Sequence, residues 1–335
     1  MGKEVKATVG CLDIEGLHAL DKIERAARIC YNSEAKAKLG GAEAFLRGQI
    51  LATGHESVIE HEGTVFVCSN IFDSELMGFL GAWPNFPMIQ TSFHKREGGG
   101  WDAIISGNFR AFRDLYKIAP EFDLAEDIMA RLIDQVPLMG YGLDENIGKR
   151  CSEDKMAFLG LQSQWGLNAI DQIDGVLSIA DESRMKHGTL TFRIDGVSRA
   201  LTHQLVRHRP CAFSQRSQRY CGEKDFDFIM PPETQAKDVE DFSVSGHFGD
   251  VMAHAAADYG LLQEHGLKNE DARFVLPNAC ETNIVVTATL NQWLHMCRLR
   301  TSSHAQWEIR GVIKQIAEQI ASITKLPAFM DLKFE

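Results

Sequence analysis

The sequence predicts an α+β fold, in which a sheet is flanked by helices and a large segment is inserted into the core. Residues 64–68 (TVFVC) are rich in β-branched and aromatic side chains, which is typical of a strand. Residues 189–195 alternate polar and apolar side chains and so predict a half-buried strand. Near the C-terminus a long helix is predicted by isoleucines at three- and four-residue steps, at positions Ile309, Ile313, Ile316, Ile320 and Ile323. We expect the two strands to lie in one sheet.

The remaining elements follow from local patterns. An N-terminal helix is indicated by Leu17, Leu20, Ile23, Ala27 and Cys30, which recur on one face. Further helices are expected at 43–52, at 125–136 (AEDIMARLIDQV), and from Gly196 to no further than Arg209, because Pro210 disfavours helix in the residue before it. The Gly98–Gly100 run predicts a surface turn. The C-terminal helix is expected to begin with Ser302 or Ser303 as its N-cap and to end before Pro327.

Composition limits the class of protein. The chain has 335 residues, of which 44% are hydrophobic, and its formal net charge is −11, so it is neither disordered nor fibrous. No apolar run reaches the ~18–20 residues of a membrane span, and the N-terminus lacks a signal-peptide pattern, so we expect a cytoplasmic protein without a membrane partner. The eight cysteines form no CxxC pair, which favours reduced thiols over a disulfide framework or a zinc ribbon.

Charge is distributed unevenly along the chain. Two windows, 196–221 and 282–307, contain no Asp or Glu. They carry seven arginines: Arg199, Arg207, Arg209, Arg216, Arg219, Arg298 and Arg300. Arginine suits bidentate recognition of phosphate, so we expect a small phosphorylated ligand. Ion pairs with acids elsewhere would also explain these arginines. A nucleic-acid surface is disfavoured by the acidic net charge and the absence of Lys clusters.

The stretch RHRPCAFSQRSQRY at 207–220 resembles the signature of the flavin-dependent thymidylate synthases. Three further blocks resemble the family in the same order: 25–34 (RAARICYNSE), 54–61 (GHESVIEH), and 272–278 with 299–310. The resemblance covers roughly 10–62 and 188–325. We therefore predict a family-like core made of 1–68 and 187–335, and an inserted, mainly helical subdomain at 69–186.

The sequence departs from the family pattern at one flavin-contacting position. Where the family has Asn-x-Arg, this chain has Thr289-Leu290-Asn291. The insertion contains GNFRAFRDL at 107–115, which resembles the missing segment. A partial internal duplication, in which Asn108 and Arg110 supply the missing groups, is one hypothesis, and a helix start that happens to read NFR is the alternative.

No metal is expected, although GHESVIEH invites a comparison with zinc motifs. HExxH would need His where Ile59 stands, and HxxEH would need His where Ser57 stands. Both motifs therefore lack an essential ligand.

The resemblance implies an activity, namely reductive methylation of dUMP to dTMP. The family takes the carbon from methylenetetrahydrofolate and uses NADPH to reduce a bound FAD, without an enzymatic cysteine nucleophile. It also implies a homotetramer whose sites are shared between subunits. Alternatives are a catalytically silent flavin- or nucleotide-binding protein on the same fold, or a variant enzyme that uses another nucleotide or one-carbon group.

The resemblance also implies the site residues. Those expected to contact dUMP are Gln204, Arg207, Gln215, Ser217, Gln218, Arg219, Arg273 and Arg300. Those expected to contact FAD are Ser57, Arg207, His208, Arg209, Gln215, Asn291 and His295. Many relatives carry Glu where this chain has Gln215. Arg300 is the expected catalytic residue, because a guanidinium beside N3 and O2 of uracil would stabilise negative charge as C5 becomes nucleophilic. Four arginines, Arg207, Arg219, Arg273 and Arg300, should converge on one anionic pocket.

Overall fold

A computed structural model describes residues 2–72, 74, 86–120, 123–144, 147, 156–167 and 185–334. Much of the predicted insertion and Cys151 lie outside these residues. The strands are β1 Thr8–Cys11, β2 Gly63–Ile71, β3 Ile89–Lys95, β4 Trp101–Asn108, β5 Met156–Leu161, β6 Thr189–Ser198, β7 Ala212–Gln215 and β8 Glu281–Thr289. The α-helices are α1 Ala19–Cys30, α2 Ala42–Phe45, α3 Phe109–Ile118, α4 Asp123–Gln135, α5 Gln162–Leu167, α6 Arg199–Leu205, α7 Pro232–Ala236, α8 Val244–Glu264, α9 Asn269–Ala272, α10 Leu290–Arg300, α11 Trp307–Thr324 and α12 Pro327–Met330.

The strands form two antiparallel four-stranded sheets, which confirms the α+β class. The first sheet has the order β1-β6-β8-β7 and the second has the order β3-β4-β2-β5. The expectation that 64–68 and 189–195 share a sheet is therefore wrong. The reason is that β2 pairs on both sides with strands from the predicted insertion, β4 and β5, and the expected boundary at 68/69 falls inside β2.

Each sheet has its own apolar core. Helices α3 and α4 pack on the second sheet, where Phe66, Phe112 and Met129 are fully buried. Helices α10 and α11 pack on the first sheet, where Trp293 donates its indole N–H to the carbonyl of Leu190 at 2.9 Å. The predicted isoleucine face of α11 is buried at four positions, and the fifth, Ile323, is partly buried. These two cores set the frame for the loops that carry the candidate site.

Three element boundaries differ from the sequence prediction. Helix α11 begins at Trp307, because the side chain of Gln306 accepts hydrogen bonds from the N–H groups of Glu308 and Ile309, and residues 302–305 form turns and bends. Strand β6 continues to Ser198, whose hydroxyl caps α6. The helix expected at 43–52 is α2 followed by a π-helical stretch, Leu46–Leu51.

The other predicted elements lie where the sequence placed them, but β6 is buried along nearly its whole length and is not the half-buried strand expected. Helix α1 and helix α4 lie where periodicity placed them, and the β3–β4 connection turns at Gly99 and Gly100, both with positive φ. Within the described ranges, no helix has the length and apolarity that crossing a membrane requires.

Candidate functional site

The connection from α6 to β7 presents the Arg-His-Arg segment. Arg207 and Arg209 are exposed, and neither forms a salt bridge with a described residue, whereas His208 between them is buried. The peptide bond from Arg209 to Pro210 is cis. The segment therefore offers two guanidinium groups to solvent on either side of a buried imidazole.

His208 joins this segment to the end of α10. Arg300 Nε donates a hydrogen bond to His208 Nε2 at 2.9 Å, and the rings of His208 and His295 lie 6.4 Å apart. Burial, together with the charges of Arg300 and His295, lowers the pKa of His208 to about 4. A neutral imidazole is the form that can accept from a guanidinium. Three predicted residues from two segments, His208 from the motif and His295 and Arg300 from α10, thus form one group, which we call the Arg300 group.

A second group surrounds Glu270. Arg219 Nε donates to Glu270 Oε2 at 2.8 Å, and Arg273 Nε donates to the backbone carbonyl of Glu270 at 3.1 Å. Both arginines are exposed, and Arg219 lies over the ring of Tyr220 at 5.3 Å. The two predicted phosphate-facing arginines are therefore neighbours, and we call them with Glu270 the Glu270 group.

The predicted polar residues between these groups have local partners. Gln215 donates to the Thr202 hydroxyl at 2.9 Å, and Gln218 lies 3.5 Å from Cys280 Sγ. The Ser217 backbone N–H donates to the Cys30 carbonyl, and its hydroxyl accepts from the N–H of Arg219. Gln204 is partly buried and its amide reaches the Ala200 carbonyl at 3.5 Å. These contacts hold the backbone of the motif next to α1 and β8.

Two arginines of the acid-free window have structural partners. Arg216 forms salt bridges with Glu281 at 2.9 Å and Glu223 at 3.4 Å. Arg199 donates to the Arg216 carbonyl at 2.7 Å, and burial lowers its pKa. The acid partners of Arg216 lie just outside the two acid-free windows, and Glu270, the partner of Arg219, lies further away. Ion pairing with acids elsewhere therefore explains Arg216 and contributes for Arg219.

His55 and Tyr31 lie beside the motif, although neither was among the site residues predicted from the sequence. His55 Nδ1 is 2.9 Å from the Tyr31 hydroxyl, and the Tyr31 and Tyr220 rings are 5.1 Å apart. The predicted flavin contact Ser57 is exposed on the 3-10 segment Glu56–His61 that follows His55. The histidine was visible in GHESVIEH, but only tertiary contact shows that its segment reaches Tyr31 and the motif.

Asn108, the N-cap of α3, lies near Thr289, where this chain departs from the Asn-x-Arg pattern of the family. Asn108 accepts from the N–H of Ala111 at 2.7 Å, and its Nδ2 is buried without a hydrogen-bond partner. Asn108 and Thr289, the N-cap of α10, line one small cavity together with Pro210. Arg110 instead forms salt bridges with Glu60 and Asp114. Asn291, two residues after Thr289, is partly buried on α10.

The two groups are separate in one chain. Among the described residues, no hydrogen bond or salt bridge joins the Arg300 group to the Glu270 group. Convergence of Arg207, Arg219, Arg273 and Arg300 on one pocket therefore stays a prediction. The donors present are chemically suited to a flavin dinucleotide, because Arg207 and Arg209 have no acid partner among the described residues and flank His208.

Comparisons with known proteins agree on one family. A family model described as thymidylate synthase complementing protein matches residues 143–325. A flavin-dependent thymidylate synthase of Geobacter sulfurreducens is 34% identical over 211 residues, which are 62% of this chain and 82% of that protein. Proteins of the same name from Nitratidesulfovibrio vulgaris and Thermococcus kodakarensis are 42% and 40% identical over 42% and 45% of this chain. The aligned part spans 59% and 62% of those two relatives.

Proposed function

The chain belongs to the family of flavin-dependent thymidylate synthases, and on that premise we propose that it converts dUMP to dTMP by reductive methylation. Methylenetetrahydrofolate would supply the carbon, FAD would be the bound cofactor and NADPH the reductant. The observation that carries the proposal is the contact between Arg300 and the buried, neutral His208 inside the Arg-His-Arg motif. The seven described cysteines are free thiols, which fits a reducing compartment such as the cytoplasm.

One N–H group of Arg300, at Nε, forms the hydrogen bond that holds the side chain, and its other N–H groups stay available for a substrate. Its Nε bond to His208 orients the guanidinium plane, and Arg300 forms no salt bridge with a described residue. In the proposed reaction the remaining N–H groups face N3 and O2 of the uracil ring. They stabilise the negative charge that develops there when C5 becomes nucleophilic. The proposed role of Arg300 is electrostatic, because a guanidinium offers several fixed N–H donors and no acceptor.

The proposed FAD site is built from the Arg-His-Arg segment, Ser57, Gln215, Asn291 and His295. The chemistry that bound FAD supplies is hydride transfer. Arg207 and Arg209 would hold its pyrophosphate, since unpaired guanidinium groups form charge-assisted hydrogen bonds to phosphate. His208 stays neutral beside them and so adds a hydrogen-bonding group without a third adjacent positive charge.

The proposed nucleotide site uses the motif and the Glu270 group. Arg219 and Arg273 would contact the phosphate of dUMP, with donors from Ser217 and Gln218 beside them. Glu270 accepts from Nε of Arg219 and the Tyr220 hydroxyl accepts from its Nη1 at 3.4 Å, which orients the guanidinium and leaves Nη2 available. Gln204, Arg207 and Gln215 would complete the base and sugar contacts on the side of α6.

We propose further that copies of the chain associate, with a homotetramer as the expected assembly, and that they share sites. Helix α8 exposes apolar side chains, including Val251 and Leu261 at 45% and 52% exposure. Nearby, Phe242 and Phe274 are also exposed. A helix with apolar residues on its outer face is typically covered by a partner. A second copy is the proposed partner, because the Arg300 group and the Glu270 group do not meet within one chain.

A silent flavin- or nucleotide-binding protein is the second candidate, favoured by the altered Thr289-Leu290-Asn291 segment. One experiment separates the two. The purified protein is incubated with FAD, its absorbance spectrum is recorded anaerobically before and after NADPH, and a single turnover with dUMP and methylenetetrahydrofolate is analysed by chromatography. If the protein is the enzyme, NADPH bleaches its flavin absorbance and the single turnover forms dTMP. A flavin spectrum that persists without dTMP would support the silent binder and contradict the proposal.

A further inference from the structure

Three adjacent strands of each sheet have the same order and the same pairing. Strands β2, β4 and β3 of the second sheet are ordered as β6, β8 and β7 are in the first, and every pairing is antiparallel. The registers agree as well: Gly63 of β2 lies opposite Asn108, and Thr189 of β6 lies opposite Thr289. Asn108 and Thr289 then cap the helices that follow, α3 and α10. This alignment equates residues 63–71 with 189–197 and residues 101–118 with 282–299.

Backbone and core contacts fall at equivalent positions in this alignment. The first residue of α3, Phe109, donates its N–H to the Glu62 carbonyl, just as Leu290 of α10 donates to the carbonyl of Gly188. The core aromatic pairs also correspond. Phe66 meets Phe112 edge-on at 5.8 Å, and Phe192 meets Trp293 edge-on at 5.2 Å. In chain order, we call strands β2, β3 and β4 with helix α3 and the flanking residues (61–119) the first unit, and strands β6, β7 and β8 with helix α10 and the flanking residues (187–300) the second unit. The two units share topology, register, helix cap and core contact.

Two buried histidines cross between the units. His61, two residues before β2, places Nδ1 2.8 Å from Thr287 of β8 and Nε2 2.9 Å from Ser214 of β7. His187, two residues before β6, places Nδ1 2.8 Å from Ser106 of β4 and Nε2 2.8 Å from Ser92 of β3. In the alignment above Ser106 is equivalent to Thr287. Ser92 and Ser214 are equivalent through the strand register, because they lie opposite Ile104 and Val285, which the alignment equates. Each unit thus sends the same side chain to the same two positions of the other.

Only the second unit keeps the candidate site. Six residues beyond each helix cap, the second unit has His295 and the first has Asp114, and five residues further Arg300 corresponds to Ala119. The sequence from 71 to 88 contains no Lys, Arg or His, whereas its counterpart carries the Arg-His-Arg segment. At the positions equivalent to Arg207, His208, Arg209, His295 and Arg300, the sequence of the first unit therefore has no cation for an anionic ligand.

We propose that the chain is an internal pseudo-dimer of one duplicated unit, and that the first unit positions the site of the second through His61. His61 ends the segment Glu56–His61, which carries Ser57, and it bonds Ser214, the neighbour of Gln215 in β7. The ring thereby holds two proposed flavin contacts, Ser57 and Gln215, at a fixed separation. His187 makes the mirror-image bonds to Ser92 and Ser106, next to which no site residue stands. The positioning role rests on the proposed function, but the duplication does not.

The mirror arrangement supplies a matched control. His61→Ala and His187→Ala each remove two buried hydrogen bonds to hydroxyl groups and leave the backbone bonds from Phe109 and Leu290 intact. Hydrogen exchange is followed by mass spectrometry in both variants. We expect exchange to rise in 212–215 and 281–289 for His61→Ala, and in 89–95 and 101–108 for His187→Ala. If hydrogen exchange in either variant rises mainly in the unit that carries the substituted histidine, the reciprocal arrangement is wrong, and so is the pseudo-dimer.

The positioning role is tested by titrating each variant with FAD. His61→Ala should weaken FAD binding by about 10-fold, because a small displacement between contact groups is costly, while His187→Ala should stay within about twofold. Equal weakening in both variants, or none in His61→Ala, would overturn the role. If His61→Ala does not fold, Ser214→Ala with Ser92→Ala as its control replaces the pair. A wild-type protein that binds no FAD would contradict the proposed function and the positioning role, while the exchange result still decides the duplication.

Discussion

Arg300 Nε donates a hydrogen bond to His208 Nε2 across 2.9 Å, although 92 positions separate the two residues in the chain. The contact needs an imidazole that is unprotonated at Nε2. Burial of His208 and the charge of Arg300 maintain that state by lowering the pKa of His208 to about 4. The pair links the two acid-free windows.

Arg300→Ala should abolish most dTMP formation while FAD binding persists, because the proposed flavin contacts are spread over other residues. A donor aimed at a developing anion typically contributes ~3–4 kcal/mol to the transition state, so turnover should fall by ~10²–10³. Arg300→Lys should recover little, since an ammonium cannot present two parallel donors. Arg298→Ala on the exposed side of the same helix is the control. Near-normal turnover in Arg300→Ala would remove Arg300 from the site.

The buried histidines should make stability fall as the solution is acidified. Burial lowers the pKa of both His61 and His187 to about 3, against an ordinary value near 6.5 in the unfolded chain. Between these values the unfolded chain binds more protons, so the associated stability is fully present above about pH 6.5 and is lost towards pH 3. Lys22 and Lys186 act in the same direction on His61 and His187 respectively.

The measurement is the free energy of urea unfolding at pH 7 and pH 5 for wild type and His187→Gln. The variant lacks one of the two titrating rings, so its loss of stability between the two pH values should be about 2 kcal/mol smaller. An identical pH dependence in both proteins would show that the His187 ring does not titrate as its buried position requires.

Glu308 should stabilise the start of α6 from a distant helix. Its carboxylate accepts from the backbone N–H of Ser198 at 2.7 Å and from the Ser198 hydroxyl at 2.5 Å. Because both bonds involve a buried acceptor, Glu308→Ala should lower the free energy of unfolding by about 2–3 kcal/mol. Glu318→Ala, an exposed acid on the same helix, should change it by less than about 0.5 kcal/mol. If both variants lose the same free energy of unfolding, the loss comes from removing a helix charge and not from the contact between Glu308 and Ser198.

Cys211, which lies inside the motif, should not act as a nucleophile. Burial raises the pKa of its thiol to about 12, so almost no thiolate exists at neutral pH. Cys211→Ala should therefore keep dTMP formation within about threefold of wild type, a margin that allows for a small packing change. A loss of a hundredfold or more would instead indicate that Cys211 acts as a nucleophile in the reaction.

Self-association through α8 should be sensitive to charge on its apolar face. Leu261→Glu should lower the assembly mass measured by sedimentation, because a carboxylate would have to be buried in the contact between copies. Ile118→Glu, at an exposed apolar position on α3, should leave the mass unchanged. If Leu261→Glu sediments as wild type does, α8 is not the contact surface.

The site could be predicted only in part, for reasons that differ between residues. Arg207, His208 and Arg209 are consecutive, so their proximity is a property of the chain itself. Glu281, which pairs with Arg216, and Glu270, which pairs with Arg219, are more than fifty residues away from these arginines, and nothing local indicates them. The other partner of Arg216, Glu223, is seven residues away. His55 was visible in its motif, but its contact with Tyr31 depends on how two loops pack.

By itself the sequence determined what short-range chemistry decides: the amphipathic helices α1, α4 and α11, the alternation in β6, the turn at Gly99 and Gly100, and the motif that identifies the family. The tertiary structure alone decided which strands pair. Strand β2 carries the same local pattern whether it joins β6 or β4, and the choice depends on burying Phe66 against Phe112, a contact between distant residues. The same reason applies to His61 and His187, since a buried imidazole requires two hydroxyl partners and only the assembled units supply them.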